Sequence, residues 1–360
     1  MQKYLVTPVD ERLFDMQKTW EMIRQDDQIA QCLRSRKWSL LVPDFQEMIG
    51  SVIPIAPCPH PYSVLAVDGS QIYYDKHQGP ACYLVNTGSV LLRYGIDKSS
   101  VVFDSQPELV VATGQETIDM GTESINLYRE QQELQTAVSK SIEFIKAGDA
   151  PFLCMLDGSM IFFQIDLQAQ GQQRNFFAQF MNYFDQLYQH RILHVAYMSF
   201  PRTKDLLNVL RIAQANYCQT KIAQTENWYK FSDMDVAQLF LTPGTRSIVF
   251  CSKAPVSYAY PAHLKPYFCY VNAGLEIVRL EFPWWIASNN LLVDQVCGMV
   301  LSQIEKGRGY PVALFEAHEQ AVVKAAEREF FYDSLRRLYI QNAQMYQRSR
   351  KSAKKVQVPI

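Results

Sequence analysis

The spacing of hydrophobic residues changes several times along the chain, and each change predicts a different kind of element. Residues 10–50 are predicted to be helical, because apolar side chains recur there every three or four positions, as at Leu13, Met16 and Trp20. A connector with four prolines occupies residues 54–61. Three stretches rich in Val, Leu and Tyr then predict an antiparallel meander, and they cover residues 63–74, 81–94 and 99–113.

After the meander, helical and extended patterns alternate. A helix is predicted over 124–146, because Leu127, Leu134 and Val138 share one apolar stripe. It is followed by a strand, a helix and a strand, at residues 152–156, 175–190 and 192–200. A right-handed crossover would place the fourth strand parallel to and beside the first. The order predicts an α/β protein with a ribonuclease H-like core, a mixed five-stranded sheet with flanking helices, and added N-terminal and C-terminal helices.

The second half of the chain is less regular. Two short strands are predicted within 267–282, a helix over 289–304, a break at Gly307-Arg-Gly-Tyr-Pro311, and a long helix from about 312 to 344. No repeat of solenoid length is present. The predicted organisation is an N-terminal helical segment and linker at 1–60, a main domain at 61–345 and a basic tail at 346–360.

One short pattern occurs twice and carries the first chemical signal. Residues 64–70 and 153–159 are both short apolar runs that end in Asp-Gly-Ser, with the acids at Asp68 and Asp157. The runs predict buried strands, and Asp-Gly is typical of the turn that ends one. Two carboxylates at neighbouring strand ends repel each other, so a cation would stabilise them. Oxygen donors with one histidine favour Mg²⁺ or Mn²⁺, and two such ions about 4 Å apart can hold a phosphoryl group during in-line displacement.

A third acid and a histidine are expected to complete such a site. The helix after the meander offers the acid, with candidates Glu123, Glu130, Glu133 and Glu143. Later in the chain, Tyr310 and His318 lie eight residues apart at the start of the last predicted helix. On an ideal helix this spacing places them within about 80° of each other around the axis.

Composition and charge narrow the class of protein. Apolar residues make up 48% of the 360 residues, enough for a sizeable core. The net charge of −1 excludes a chain-wide basic field, so polyanion binding would need local patches. Residues 321–360 form one such patch, with nine Lys or Arg against three Asp or Glu. The chain shows no signal peptide, membrane span or zinc-type Cys/His spacing, which predicts a reduced, cytoplasmic protein without a membrane partner.

Several motifs together resemble the NurA-type nucleases, which partner HerA-type translocases in DNA end resection. The resemblance extends over about 64–330 and begins with Val67-Asp-Gly-Ser70, Arg129-x-x-x-Glu133 and Leu156-Asp-Gly-Ser159. It continues with Leu241-x-Pro-Gly-x-Arg-Ser247, Arg279-Leu-Glu-x-Pro283, Gly309-Tyr-Pro311 and Ala317-His-Glu319.

The resemblance implies a ribonuclease H-like fold and a manganese-dependent active site, with Mg²⁺ as the other candidate ion. Its metal ligands would be Asp68, Glu133, Asp157 and His318, with Tyr310 beside them and Glu130 as the alternative to Glu133. It further implies a deoxyribonuclease for DNA repair, acting as a 5′–3′ exonuclease with single-strand endonuclease activity. Its expected partners are DNA and a HerA-type hexameric ATPase translocase. The residues themselves predict a homodimer, because the apolar run 282–286 is too large to leave in water and a two-fold interface would bury it against its own copy.

Two other functions fit parts of the pattern. Actin-like or sugar-kinase-like ATPases share the ribonuclease H-like core and place Asp-Gly-Ser/Thr turns around ATP phosphates. Against this alternative, the second half of the chain offers no duplicate of the meander and no phosphate-binding Gly-x-x-x-x-Gly-Lys-Ser/Thr loop. A non-catalytic scaffold that docks a translocase is the other alternative.

Overall fold

The helices of the computed structural model follow the predicted apolar stripes closely in the middle of the chain. The structure describes residues 9–73, 82–95, 99–111, 122–145, 151–163, 165, 171–228 and 230–341. The predicted tail at 346–360 lies outside these residues. The α-helices are α1 (Val9–Ile23), α2 (Ile29–Arg34), α3 (Thr122–Ile145), α4 (Gln172–Gln189), α5 (Asp205–Gln214), α6 (Asp233–Gln238), α7 (Trp284–Ala287), α8 (Asn290–Lys306), α9 (Val312–Ala321) and α10 (Ala325–Gln341).

Ten strands form one mixed sheet in the described residues. They are β1 (Ile53–Pro54), β2 (Tyr62–Ile72), β3 (Cys82–Tyr94), β4 (Ser100–Val111), β5 (Phe152–Asp157), β6 (Leu193–Ser199), β7 (Thr245–Arg246), β8 (Phe250–Cys251), β9 (Pro266–Asn272) and β10 (Ile277–Pro283). The order is β1-β7-β9-β10-β6-β5-β2-β3-β4, and β8 pairs with β9. Strands β2, β3 and β4 form the predicted meander, and β5 is parallel to both β2 and β6.

The prediction of five strands was therefore wrong in number, although it had the order of the first five right. The hairpin of β9 and β10 extends the sheet, because β10 pairs antiparallel with the far edge of β6. Short strands late in the chain give no sequence signal for the sheet that they will join, because pairing depends on contacts between distant residues.

Alternating side chains on the strands pack against helices on both faces of the sheet. Val64 and Ala66 of β2 belong to a core cluster with α8 and α9, whereas Leu65 and Val67 belong to a cluster with α3 and α4. A third cluster joins α1, α5 and β9. Successive residues of a strand therefore face opposite sides of the sheet and contact different helices.

The N-terminal residues are helical only in part. Helices α1 and α2 end at Arg34, and residues 35–50 are irregular, with Asp44 forming a single bridge to Cys251. Met16 and Trp20 of α1 are fully buried in the same cluster as Leu206 and Leu210 of α5. The expectation of helix through residue 50 was thus wrong beyond α2, and the domain boundary at residue 60 stays a prediction.

The long C-terminal helix that the pattern predicts is interrupted after Ala321, which gives α9 and α10. The carbonyl of Ala321 accepts hydrogen bonds from the Ser70 hydroxyl and, at 2.8 Å, from the Asn86 amide. Val322 then adopts an extended conformation with φ −58° and ψ 124°. The break lies where the helix end contacts β2 and β3, and local periodicity cannot reveal such a contact.

The apolar run 282–286, predicted to cover a dimer contact, is mostly inside the chain's own core. Phe282 and Ile286 are fully buried and Trp285 is buried, whereas Trp284 is 44% exposed. This run therefore does not provide the large exposed patch that the sequence suggested. In the described residues, no helix has the length and apolar character that crossing a membrane requires.

Candidate active site at the sheet edge

The two Asp-Gly-Ser copies lie side by side, as predicted. Strands β2 and β5 are parallel, and the pair Val67 with Leu156 brings Asp68 next to Asp157. Only the second copy ends its strand, where Gly158 has a positive φ of 92°. The first copy was expected to form a turn, but β2 continues through it to Ile72 because β3 pairs with it over the whole length.

Gly69 has a different role from the predicted turn. A Cβ atom at this position would lie 2.3 Å from the Glu133 Oε1 atom and 2.9 Å from the Arg129 Cγ atom. By strand alternation, residue 69 faces α3, whereas Asp68 faces α9. The missing side chain therefore leaves space in which Glu133 approaches Asp68 from the other face of the sheet.

A cavity of about 420 Å³ lies where these groups meet. Its acidic lining residues are Asp68, Glu130, Glu133 and Asp157. Arg129 also lines it, forming an ion pair with Glu133 and donating to the Gly69 carbonyl at 3.3 Å. The other two candidate acids of α3, Glu123 and Glu143, are exposed and do not line the cavity.

Two carboxyl groups of this cavity, those of Glu133 and Asp157, have raised pKa values. Burial raises the pKa of Glu133 to about 8, against the opposing effect of Arg129 and with further contributions from Asp68 and Glu130. The Asp157 residue as a whole is exposed at the strand end, but loss of water around its carboxyl and the charge of Asp68 raise its pKa. A divalent cation would relieve this crowding of negative charge.

Helix α9 brings His318 to the same acids from the opposite side. A Cβ at Gly88, the residue paired with Asp68, would lie 2.3 Å from the Ala321 nitrogen, so a glycine is needed for this close packing. His318 Nδ1 lies 2.7 Å from Asp68 Oδ2, with the histidine side chain 59% exposed. Tyr310, just before α9, hydrogen-bonds to the Asp157 carboxylate. His318 therefore contacts Asp68, and Tyr310 contacts Asp157.

Two further acids, Glu281 and Glu276, accept hydrogen bonds from residues that lie next to Asp157 and Tyr310. Glu281 Oε2 accepts hydrogen bonds from the Ser159 hydroxyl at 2.6 Å and the Met160 amide at 3.0 Å, which fixes the turn that follows Asp157. Glu276 accepts from the Tyr197 hydroxyl at 2.7 Å, and the Tyr197 ring meets Tyr310 edge-on. The sequence motif around residues 279–283 contained Glu281, but nothing local indicated its contact with the turn.

A buried arginine neutralises Glu281. Arg279 donates to Glu281 at 2.7 Å and to Asp205 at 2.6 Å, and all three side chains are almost completely buried. The guanidinium also lies 3.5 Å from the centroid of the Phe268 ring. This ion network connects β10 to the start of α5 and to the Asp157 turn.

The donor chemistry of the site suits a divalent cation such as Mn²⁺ or Mg²⁺, since it offers several carboxylates and one imidazole. The donors are at present paired with other side chains, with Glu133 bonded to Arg129 and Asp68 to His318. Accordingly, no group of three or more His, Cys, Asp or Glu in the described part of the chain is arranged to hold an ion. The residue types and their crowding fit a metal, and binding would exchange these pairings for metal contacts.

The fold and site define an α/β protein with an acid-lined cavity at the edge of a mixed sheet. A family model of the NurA domain matches residues 62–323, and the chain belongs to that family. Among curated proteins, none matches the chain.

Three solved structures share a general likeness with the chain. A NurA crystal structure is 12% identical, with 88% of this chain and 94% of that chain covered and a TM-score of 0.45. A NurA structure with manganese is 11% identical, with 88% and 94% covered and a TM-score of 0.37. A NurA structure bound to dAMP and manganese is 11% identical, with 89% and 94% covered and a TM-score of 0.35.

Proposed function

We propose that this protein is a metal-dependent deoxyribonuclease that hydrolyses phosphodiester bonds in DNA end resection and repair. The observation that carries the proposal is the crowding of Asp68, Asp157 and Glu133 around one cavity in a NurA-domain chain. The proposed mode of cleavage is 5′–3′ exonuclease action with single-strand endonuclease activity. The strand order, a three-stranded meander followed by two parallel strands, supports assigning a ribonuclease H-like core.

The proposed metal ligands are Asp68, Asp157, Glu133 and His318, with Mn²⁺ as the first candidate and Mg²⁺ as the second. When bound, such an ion activates water for attack and neutralises charge on the phosphate. Glu130 lines the same cavity and is the alternative ligand on α3.

The other polar groups of the site position these ligands and the substrate. The Tyr310 hydroxyl favours the charged form of Asp157 and so opposes the rise of its pKa, and Glu281 holds the turn after Asp157. Arg129 lines the cavity and is paired with Glu133. If Glu133 bound a metal ion instead, the Arg129 guanidinium would be available to pair with a substrate phosphate. The ATPase alternative gains no support, since the described strands of the second half extend the same sheet and do not form a second meander.

The function is tested with end-labelled DNA. Purified protein should cleave single- or double-stranded DNA with Mn²⁺ and not with EDTA. The His318→Ala variant should lose at least about a hundredfold in rate, because it removes a group that contacts the metal or holds Asp68. His263→Ala, which removes a histidine bonded to Asp185 on α4, is the matched control. A Mn²⁺-soaked crystal with His318 more than about 6 Å from any metal would exclude it as a ligand.

We further propose that the protein is a homodimer and docks onto a HerA-type hexameric translocase that feeds it DNA. The 282–286 run is buried and does not support the dimer. The dimer is supported instead by β4, which is the last strand in the order of the described sheet. Val101, Val102 and Phe103 on β4 are 46%, 51% and 47% exposed, and such an apolar edge favours pairing with a second chain.

Light scattering at tens of micromolar should give twice the chain mass, and Phe103→Lys should give a monomer. The exposed Phe330→Lys on α10 serves as the control for an equal change of charge. A wild-type monomer would refute the dimer. Unchanged DNA cleavage after addition of the cognate translocase and ATP would refute the docking.

A further inference from the structure

A second cavity, outside the acidic site, has a basic and aromatic lining. It measures about 830 Å³ and lies between the loop that follows α2 and the segment 253–258. We call it the basic groove. Its charged lining residues are Arg34, Arg36, Lys37 and Lys253, with Asp44 as the acid among them. Four cations and one acid give this surface a positive charge in a chain whose net charge is −1.

Asp44 cannot neutralise both of the cations that it contacts, because Arg34 and Lys253 share its single negative charge. Arg34 Nε lies 2.5 Å from Asp44 Oδ1, and Lys253 Nζ lies 3.1 Å from Asp44 Oδ2. Burial opposes ionisation of Asp44, but the two cations together hold its pKa below the usual value. Asp44 is therefore a fixed anion that keeps Arg34 and Lys253 at the groove. Arg36 and Lys37, both exposed, add further positive charge.

Two aromatic side chains accompany the cations. The Arg36 guanidinium carbon lies 5.2 Å from the centroid of the Trp38 ring, and the Trp38 indole is fixed by a 2.9 Å bond to the Leu33 carbonyl. Tyr258 is 69% exposed, which is unusual for so large a ring, and the Lys265 ammonium lies 5.8 Å from its centroid. An exposed ring flanked by cations can stack on a nucleobase while the cations contact phosphates.

One buried cluster of side chains connects the basic groove to the acidic cavity, because Leu41 of the groove packs against the cluster that contains Tyr260 and Met160. The segment with Lys253 and Tyr258 continues to Tyr260, whose buried hydroxyl donates to the Met160 carbonyl at 2.6 Å. Met160 lines the acidic cavity directly after the Asp157 turn. The segment that borders the basic groove is therefore held by the residue that follows the Asp157 turn at the proposed cleavage site.

We propose that the basic groove binds a single-stranded nucleic acid segment that leads to the acidic cavity, with phosphates on Arg36, Lys37 and Lys253 and a base stacked on Tyr258. The inference rests on the proposed nuclease function for the direction of the strand. An acidic polypeptide would use the same cations but would gain little from an exposed tyrosine ring. The exposed ring of Tyr258 therefore favours nucleic acid.

The test measures binding in EDTA, so that it does not depend on cleavage. Fluorescence anisotropy of a labelled oligothymidylate, followed over a series of salt concentrations, gives the slope of log K against log [salt]. Each phosphate contact with single-stranded DNA contributes about 0.7 to that slope. Lys37→Gln should lower its magnitude by about 0.7, and Lys37→Gln with Lys253→Gln by about 1.4. Lys18→Gln, an exposed lysine on α1 outside the groove, should leave the slope unchanged.

The ring is tested separately from the charges. Tyr258→Ala should weaken oligothymidylate binding at least about fivefold, whereas Tyr258→Phe should bind like wild type, since stacking needs only the ring. Equal competition by polyglutamate and oligothymidylate, together with wild-type binding by Tyr258→Ala, would show an acidic-protein surface and overturn the proposal. So would unchanged salt slopes in both lysine variants. A protein that binds through the groove but never cleaves DNA would refute the nuclease and leave the groove supported.

Discussion

Replacing either Asp68 or Asp157 by asparagine should lower metal-dependent DNA cleavage by at least about a thousandfold and leave the protein folded. Each substitution removes one charged oxygen donor of a metal site that contributes several kcal/mol to the transition state, and each 1.36 kcal/mol is a factor of ten in rate. The measurement is the initial rate on end-labelled DNA at saturating Mn²⁺. Full activity in either variant would exclude the two-acid site.

The stability of these variants gives an independent check. The raised pKa of Asp157 means that the folded, metal-free chain holds its charged form less favourably than the unfolded chain does. Removal of that charge should therefore leave the melting temperature in EDTA unchanged or higher. Asp185→Asn, which disrupts the half-buried pair with His263, is the matched control and should keep full activity. A large drop in melting temperature for Asp157→Asn would instead assign the carboxylate a structural role.

Replacing Arg279 by methionine should lower the free energy of unfolding by about 3–5 kcal/mol. The reason is that Asp205 and Glu281, both almost completely buried, would lose the cation that neutralises them. Urea denaturation measures the change. Arg337→Met on exposed α10 should change the same quantity by less than about 0.5 kcal/mol.

A second substitution tests the cause of this loss. If unpaired buried carboxylates are responsible, Asp205→Asn in the Arg279→Met background should recover part of the stability, because it removes one of the two charges. A further loss in the double variant would assign the effect to packing against Phe268.

DNA cleavage by folded Arg279→Met should also fall, since Glu281 positions the turn after Asp157.

The sequence by itself determined the strands and helices from β2 to β6 and their order. Val64 to Val67 alternate between the two faces of the sheet, and the apolar stripe of α3 packs against one of them. Such patterns are local, because each residue's burial follows from the geometry of its own strand or helix. The right-handed crossover then placed Asp68 beside Asp157 without any knowledge of side-chain contacts.

Only the tertiary structure decided how the remaining groups meet. Gly69 was expected to turn the chain but instead leaves room for Glu133, and Gly88 allows α9 to bring His318 to Asp68. Glu281 reaches the Ser159 turn from β10, more than a hundred residues later in the chain. The five-stranded core became a ten-stranded sheet for the same reason. Hydrophobic periodicity records which face of an element is buried, but contacts between distant residues depend on how the elements pack together.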